Sequence, residues 1–368
     1  MSLLSFPVLC LAWILDGGFQ RSGQLIKEPL VKAILVFCMV LLLGFLWSEY
    51  PEGGRMKWKK YFILLIFIPF LSLLNKERLP WVIGASLAGC SVVLFFGVYQ
   101  WAVLEGQGIP LFKMSYLSFS AMLGIGIILT VYFAGTSITK KAKLLFWVLA
   151  LVLLFIQFNQ SARGLILATL GTLPVLIYRA EIRKFTTILV SLIIVVSIFS
   201  FNSAVFQERL VQVKHDIELF HQGNYSSSVG YRLAMWDVGL DGIARKPWLG
   251  HGTGTPESYF ENTIVTYKEG IYKDLPKFQR TSHYHNDWIE IGMHLGVLGI
   301  LTLAFLLWSW CQSFKTHHLA NLGAALVCYI FMAGLTDTFL IYSKIPILLL
   351  IITAIAICWQ QERERLRN

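Results

Sequence analysis

Residues 280–299 read RTSHYHNDWIEIGMHLGVLG, and in this stretch a polar loop with two histidines runs directly into an apolar helix. Asp287 stands three residues before Glu290 at the start of the apolar run, a spacing typical of a capped helix start. We therefore expect the helix to begin near Asn286 or Asp287, with Asp287 as its cap.

The start of such a helix favours an anion and a neutral imidazole. Its unpaired N–H groups and the positive end of its dipole attract negative charge and disfavour protonation of a nearby histidine. His285 would then stay neutral and act as a base, with His283 as the second choice. Alternatively, both histidines only form hydrogen bonds within the loop. A metal site of His283, His285 and Asp287 is a further alternative, but two imidazoles and one carboxylate are few ligands, and we expect no metal.

The composition is that of a polytopic membrane protein. Apolar residues make up 56% of the chain and charged residues 14%, whereas charged residues supply about a quarter of a soluble domain. The net charge of +10 comes from basic residues in short connections between apolar segments, as membrane topology predicts, so we expect no nucleic-acid partner. All six cysteines lie in apolar segments, which argues against disulfides and cysteine metal sites.

Eleven apolar segments are candidates for membrane spans. They lie near residues 3–15, 30–47, 61–74, 80–104, 116–134, 143–158, 164–178, 185–201, 288–310, 320–335 and 345–359. The first and third are short for a full crossing. We predict an all-α polytopic membrane protein with about 11–12 transmembrane helices and one large, partly helical loop. Its parts would be an N-terminal bundle (1–201), the loop (202–284) and C-terminal helices (285–368).

The positive-inside rule places the long loop outside the cytoplasm. The inside connections would then carry ten basic residues and the short outside ones three, Lys113, Arg163 and Lys344. The connection between the second and third segments breaks this pattern, because Lys57, Lys59 and their basic neighbours would also lie outside. Either an N-terminal segment fails to cross, or this connection lies along the membrane surface.

The long loop contains a predicted amphipathic helix followed by a glycine-rich turn. Residues 230–244 put four apolar side chains at helical spacing, namely Leu233, Trp236, Leu240 and Ile243. This face would rest on the membrane or on the bundle. After Lys246-Pro247 comes WLGHGTG, in which Gly250 and Gly252 permit tight backbone turns. Such a turn can cradle phosphate, and a purely structural turn is the alternative.

Three further residues are functional candidates. Arg163 lies in a very short connection between two spans, and Arg232 opens the loop helix. Either arginine can be a lipid-headgroup anchor, but its planar fork also suits a pyrophosphate. Asp337, at the outer end of the tenth segment, would orient the histidine or pair with an arginine. The alternative is a solvated loop aspartate.

Three motifs together resemble the O-antigen ligase and polymerase superfamily of bacterial envelope glycosyltransferases. They are SARG at the end of a span, YRLAMWDVGLDGIARKPWLGHGTG in the loop, and HNDWIEIGMHLGVLG. The last is similar to the family's His-Asn, Leu-Glu, Gly-x-x-Gly pattern, with Ile289 where leucine is usual. The match at residue level is concentrated between Asn159 and Gly299.

The resemblance implies an inner-membrane enzyme of about twelve helices with its active site facing the periplasm. It would transfer a glycan from undecaprenyl pyrophosphate, in the ligases to a sugar hydroxyl of lipid A-core, without a nucleotide sugar, an essential metal or another cofactor. By position, Arg163 and Arg232 would hold the pyrophosphate and His285 would deprotonate the acceptor, with inversion at the anomeric centre. Asp337, Asn286, Gly250 and Gly252 would support this site.

Other functions fit the same sequence. An O-antigen polymerase or a protein O-oligosaccharyltransferase would use the same donor and a different acceptor. A transporter or channel would carry buried charges at mid-membrane depth or interrupted helices in two related halves. Here the informative polar residues lie at the ends of spans and in one loop, which favours the enzyme.

Overall fold

The computed structural model describes residues 5–48, 56–180, 194–195, 197–278, 283–342 and 344–365. Within these residues it has no β-strand, apart from one isolated bridge between Ile109 and Met114. The predicted all-α fold class is confirmed.

The helices follow the apolar segments of the sequence. Before the long loop they are α1 (Ser5–Leu15), α2 (Gly18–Leu25), α3 (Pro29–Leu43), α4 (Phe67–Leu73), α5 (Leu79–Ala102), α6 (Tyr116–Thr136), α7 (Lys140–Phe158) and α8 (Arg163–Ala180). The loop contains α9 (Ala204–His221), α10 (Ser228–Arg245), α11 (Pro256–Thr263) and α12 (Leu275–Phe278). The C-terminal helices are α13 (Asp287–Thr316), α14 (Ala320–Thr336) and α15 (Lys344–Arg365).

Six helices in the described part of the chain are long and apolar enough to cross a membrane. These stretches are Pro29–Trp47, Leu79–Ala102, Tyr116–Thr136, Lys140–Phe158, Asp287–Thr316 and Lys344–Arg363. Arg163–Leu176 and Ala320–Thr336 are shorter apolar helices. The predicted first segment forms only the 11-residue α1, and the predicted segment 185–201 lies mostly outside the described residues. The chain is a multi-pass membrane protein.

The predicted third segment, residues 61–74, is short for a full crossing. In the structure it belongs to a longer helical stretch that reaches from one end of the bundle to the other. Lys57–Ile66 is a 10-residue 3-10 helix, and the 7-residue α4 continues it. A 3-10 helix rises about 2.0 Å per residue and an α-helix about 1.5 Å, so together they cover about 30 Å, the thickness of the hydrocarbon core. Lys57 Nζ lies 3.4 Å from His283 Nδ1, and Lys76 Nζ lies 3.9 Å from Glu362 Oε2 near the end of α15.

We call the end of the bundle beside His283 the loop end. Lys57, from the basic connection that breaks the charge pattern, lies here, and the described residues just before this connection bind the long loop. Trp47 Nε1 donates to the Leu249 carbonyl at 2.8 Å, and Ser48 Oγ donates to the Thr253 carbonyl at 2.7 Å. Lys57 is therefore on the same side as the histidines.

A break in α13 positions the site. Gly296 has φ +61° and ψ −149°, so the helix divides into an arm, residues 287–295, and a long apolar part, residues 297–316. A turn of the long loop, residues 246–254, fills this break, and we call it the glycine turn. Four backbone hydrogen bonds join the two segments: Val297 N to Pro247 O (2.7 Å), Leu298 N to Trp248 O (3.3 Å), His251 N to Met293 O (2.9 Å) and Gly252 N to His294 O (2.9 Å).

The glycines of this turn are required by close backbone contact. Gly250 has φ +63°, and a Cβ there would lie 2.6 Å from the backbone nitrogen of Gly296. A Cβ on Gly252, at φ +89°, would lie 2.4 Å from Ser48 Cα. The backbone N–H groups of residues 250–254 all donate hydrogen bonds within the protein. Four of them donate to backbone carbonyls, and that of Gly254 donates to the side chain of His294, with 3.1 Å to Nδ1. These bonds favour the structural interpretation of the turn over a phosphate cradle.

The loop helix is confirmed as α10, and its predicted apolar face packs partly on the protein and is partly exposed, as contact with the membrane allows. Leu233 and Leu240 are 37% and 58% exposed, while Trp236 and Ile243 pack against the core of the loop. The buried face carries Tyr231, Ala234, Met235 and Val238 together with glycines. Those glycines let the helix approach α13 closely, since a Cβ on Gly239 would lie 2.5 Å from Ile289 Cγ2. A hydrophobic pattern does not register a contact made through glycine.

The long loop and the arm of α13 share one hydrophobic core. This core includes Val238, Phe260, Tyr284 and, from the arm, Ile289 and Met293. It is separate from the core of the helical bundle, which includes Leu295 and Leu303. The packing unit of the loop therefore extends beyond residue 284.

We expect Gly296→Ala to destabilise the protein by about 1–3 kcal/mol, because the φ and ψ of Gly296 are accessible essentially only to glycine. In addition, the new Cβ would lie 2.5 Å from the Pro247 carbonyl oxygen. Thermal unfolding in detergent measures the effect. The matched control is Gly89→Ala in α5, where a Cβ meets no atom within 4 Å, and this change should leave the unfolding temperature the same or slightly higher. Equal unfolding temperatures for both variants would contradict the strain at Gly296.

Candidate active site

The two histidines lie on a short loop that is fixed by the buried residue between them. Tyr284 is 0% exposed. Its N–H donates to Glu290 Oε2 at 2.8 Å, its carbonyl accepts from Trp236 Nε1 at 3.0 Å, and its hydroxyl donates to the Pro256 carbonyl at 3.2 Å. The rings of the flanking histidines come together, with centroids 4.1 Å apart. The loop is therefore held at every polar group of its central residue.

The helix after this loop begins where the sequence predicts, but its cap is the neighbouring residue. Asn286 has φ −163°, and its side-chain oxygen accepts from Trp288 N at 2.9 Å and Ile289 N at 3.2 Å. The prediction that Asp287 is the cap was wrong. Its carboxylate instead accepts from the backbone N–H of Phe339 at 3.1 Å. It binds the turn after α14 through the backbone N–H groups of Phe339 and Leu340, while extended backbone at Asn286 provides the geometry of a cap.

Asp337 is brought to the histidines by contacts on both sides of it. Asn286 Nδ2 donates to the Leu335 carbonyl at 3.1 Å, and Asp287 binds Phe339. Asp337 is only 3% exposed. His285 Nδ1 lies 2.8 Å from Asp337 Oδ1, and His283 Nε2 lies 3.5 Å from the same oxygen. Of the two alternatives for Asp337, the structure supports a partner of the histidine and not a solvated aspartate.

These contacts distinguish the two imidazoles. A carboxylate accepts hydrogen bonds, so Nδ1 of His285 carries the proton and Nε2 keeps its lone pair. In His283 both ring nitrogens face partners, because Nε2 faces Asp337 and Nδ1 lies 3.4 Å from Lys57 Nζ. The geometry therefore favours His285 over His283 as a proton acceptor.

The backbone of His285 is held in an uncommon conformation. Its φ of +48° lies in the left-handed region. Histidine enters this region more often than most residues, but such conformations still cost free energy, of order 1–3 kcal/mol. The contacts of Tyr284 and Asn286 on either side maintain the strain, and the imidazole is thereby directed at Asp337 before any ligand binds.

The pKa values of the cluster keep the carboxylate charged. Burial lowers the pKa of His283, and the nearby Asp337 acts in the opposite direction. Burial alone would raise the pKa of Asp337, but hydrogen bonding and the charges of His283 and His285 hold that pKa well below its usual range. A fixed negative charge therefore sits beside both imidazoles.

Ligand atoms of His283, His285 and Asp337 lie within 4.8 Å of one another, so these residues could hold a metal ion. The one carboxylate of this set is Asp337 and not Asp287 as in the sequence-based alternative, because Asp287 accepts from backbone N–H groups. The Lys57 ammonium beside His283 adds positive charge that opposes a cation here. The donor set suits a transition metal, whereas the neighbouring lysine favours an anionic ligand.

Arg232 lies on the same side of the molecule as this cluster. Burial and the Asp337 carboxylate raise the pKa of Tyr342, while the positive charge of Arg232 lowers it. Tyr342 is thus within electrostatic reach of both Asp337 and Arg232. The arginine is half-buried near the start of α10.

Arg163 also begins its helix next to the cluster. A Cβ on the following residue, Gly164, would lie 2.6 Å from Thr336 Oγ1, and Thr336 immediately precedes Asp337. Arg163 is half-buried. The structure therefore brings both predicted arginines to the loop end with His283, His285 and Asp337.

Lys57 and Tyr342 were not predicted as site residues. The sequence does contain a signal for Lys57, since its basic connection conflicts with the positive-inside pattern. Nothing in the local sequence around Tyr342 indicates its position beside Asp337.

Comparison with known proteins agrees with the sequence motifs. Residues 148–304 match the protein-family model described as O-antigen ligase. An O-antigen ligase of Escherichia coli (strain K12) is 27% identical over 367 residues, which cover 93% of this chain and 84% of that protein. The similarity to the O-antigen ligase superfamily is thereby confirmed, and it indicates a glycosyltransferase of the ligase or polymerase type.

We expect the folded protein to lose stability as the pH falls below about 6.5, the ordinary pKa of an imidazole. Burial lowers the pKa of His283 below its usual 6.5, so the unfolded chain binds this proton more readily and protonation favours unfolding. His283→Asn should weaken this dependence, as measured by thermal unfolding in detergent at several pH values. The control is His215→Asn on the exposed surface of α9, which should keep the wild-type slope. An unchanged slope in His283→Asn would contradict the assignment.

Proposed function

We propose that this chain, like the O-antigen ligases to which it is similar, moves a glycan from undecaprenyl pyrophosphate to a sugar hydroxyl of lipid A-core on the periplasmic face of the inner membrane. The observation that carries the proposal is the 2.8 Å contact between His285 Nδ1 and buried Asp337. His285 lies in residues 148–304, the segment matched by the family model, and the same segment contains Arg163 and Arg232, which the sequence motifs single out.

His285 is the proposed general base. Its Nε2 accepts the proton of the acceptor hydroxyl as that oxygen attacks the anomeric carbon. Asp337 keeps the ring in the required tautomer and stabilises the imidazolium that forms. Because the attack is a direct displacement, it inverts the anomeric centre.

Arg163, Arg232 and Lys57 are the proposed ligands of the diphosphate. The bond between the anomeric carbon and the phosphate oxygen breaks, and its electron pair leaves with undecaprenyl pyrophosphate. Guanidinium forks bind phosphate oxygens in pairs and stabilise the charge that develops on them. Together these three cationic side chains would supply the positive charge that a metal ion provides in other phosphate-binding enzymes, as a metal-independent reaction requires.

His283 has a positioning role in this scheme. It lies between Lys57 and Asp337 and contacts both. Since burial lowers its pKa, it stays neutral and does not compete with His285 for a second proton near Asp337. It would hold the lysine toward the diphosphate.

We expect His285→Ala and Asp337→Asn each to lower transfer by about 10²–10⁴-fold, the usual contribution of general-base catalysis. The measurement is single-turnover glycan transfer in detergent, with thermal unfolding to show that each variant is folded. His215→Ala, an exposed histidine in the same loop, should transfer normally. Normal transfer by folded His285→Ala would exclude it as the base.

We expect Arg163→Gln, Arg232→Gln and Lys57→Gln each to raise the KM for the donor by about 10-fold or more, since a hydrogen bond to a charged group contributes about 1.5–3 kcal/mol. The KM for the acceptor should change little. Lys273→Gln removes an exposed charge from the same loop and serves as the control. If all three variants have wild-type donor kinetics, these residues are lipid anchors and not donor ligands.

The acceptor requires a separate experiment. Purified protein is incubated with undecaprenyl-pyrophosphate-linked glycan, either with lipid A-core or with additional donor alone. Glycan on lipid A-core supports the ligase, and lengthening of the lipid-linked glycan without lipid A-core identifies a polymerase. Absence of transfer in both samples would favour a protein acceptor or transport, and a transporter would show no turnover without a sealed membrane.

A further inference from the structure

We propose that residues 246–250 of the glycine turn insert into the membrane–water interface, and that bilayer lipid is their partner. Trp248 and Leu249 are 75% and 47% exposed, although their backbone is held firmly by α3 and α13. Large apolar side chains on a fixed backbone, directed away from the protein, need an apolar environment to cover them.

The depth of this segment follows from its contacts with α13. Residues 297–316 extend for about 30 Å, which equals the thickness of the hydrocarbon core. The turn binds the first residues of this stretch, because Val297 N donates to Pro247 O at 2.7 Å and Leu298 N donates to Trp248 O at 3.3 Å. Trp248 and Leu249 therefore lie at the level where the hydrocarbon core begins.

The turn is also continuous with the lipid-facing surfaces of two helices. On α13 the exposed apolar side chains follow helical spacing: Leu298 (37%), Leu301 (61%), Phe305 (37%) and Trp308 (58%). On α3 and the 3-10 turn that follows it, residues 44–47, they are Met39 (60%), Leu42 (55%) and Leu46 (80%). Trp47 Nε1 joins the two surfaces by donating to the Leu249 carbonyl at 2.8 Å. Residues 246–250 thus extend an existing lipid-facing surface at its upper edge.

The side chains suit the interface in particular. Tryptophan is enriched at the headgroup level, where its apolar ring and its N–H group are both satisfied. Lys246 is exposed, and its long apolar stem lets the ammonium reach lipid phosphates while the turn lies deeper. A water-exposed turn would satisfy neither Trp248 nor Leu249, and the basic neighbour favours anionic headgroups over a second copy of this positively charged chain.

This contact has a mechanical consequence for the arm of α13. The same turn that enters the lipid binds Met293 and His294 through His251 N and Gly252 N. The bilayer would therefore help to hold the arm, and with it the loop of Tyr284, at a fixed height above the membrane. This inference is independent of the reaction that the site performs.

The test compares two nitroxide-labelled single-cysteine variants in liposomes, after the native cysteines are replaced by alanine. Leu249→Cys is the test position, and Ile271→Cys is the matched control, because both native side chains are 47% exposed and both lie in the long loop. We expect the label at 249 to be relaxed mainly by oxygen, which partitions into lipid, and the label at 271 mainly by a water-soluble nickel complex. Equal access of the nickel complex to both labels would overturn the proposal.

A second measurement tests the proposal without the cysteine variants, in case these do not fold. Trp248→Phe should lose part of the fluorescence quenching that brominated phospholipids cause in the wild type, whereas Trp236→Phe, a half-buried tryptophan in the same loop, should keep that fraction. Equal quenching in wild type and Trp248→Phe would contradict insertion. If the label at 249 is shielded from both relaxing agents and its spectrum shows dipolar broadening from a second label, the partner of the turn is a second copy of the chain and not lipid.

Discussion

The arrangement at the loop end depends on the hydrogen bonds between the glycine turn and the break in α13. A continuous helix would satisfy its own N–H and carbonyl groups, so a break exposes several of them. Here the turn supplies the missing partners, and Gly250 and Gly296 allow the two backbones to approach closely enough. The break lets the arm of α13 contact both the loop core and the turn after α14. These contacts bring His285, which precedes α13, to Asp337, which follows α14.

Much of the candidate site could be predicted because each sequence pattern that indicates it spans only a few residues. The helix start near Asn286, the pair of histidines and the arginine at each helix start are all patterns within a few residues. The cap was assigned wrongly because Asn286 and Asp287 are adjacent and both have the chemistry of a cap. Choosing between them requires the knowledge that the backbone N–H groups of Phe339 and Leu340, 52 and 53 residues away, lie within hydrogen-bond distance of Asp287.

The parts that could not be predicted depend on contacts that produce no periodic pattern in the sequence. Lys57 reaches His283 across 226 residues of sequence, and its charge looked only like an exception to a topology rule. The buried face of α10 relies on Gly239 and its neighbours, where the absence of a side chain produces the contact. Hydrophobic patterning detects side chains that need burial, and it cannot detect an absence that makes room for another helix.

The 3-10 helix of residues 57–66 has a consequence for how the topology of such a chain is counted. Each crossing reverses the side of the membrane on which the following connection lies, so the parity of the crossings decides the location of everything downstream. A rule based on residue number rejects this segment, because it assumes the rise of an α-helix. Rejecting it would reverse every later assignment and would place His283 on the opposite side of the membrane from Lys57, which it contacts.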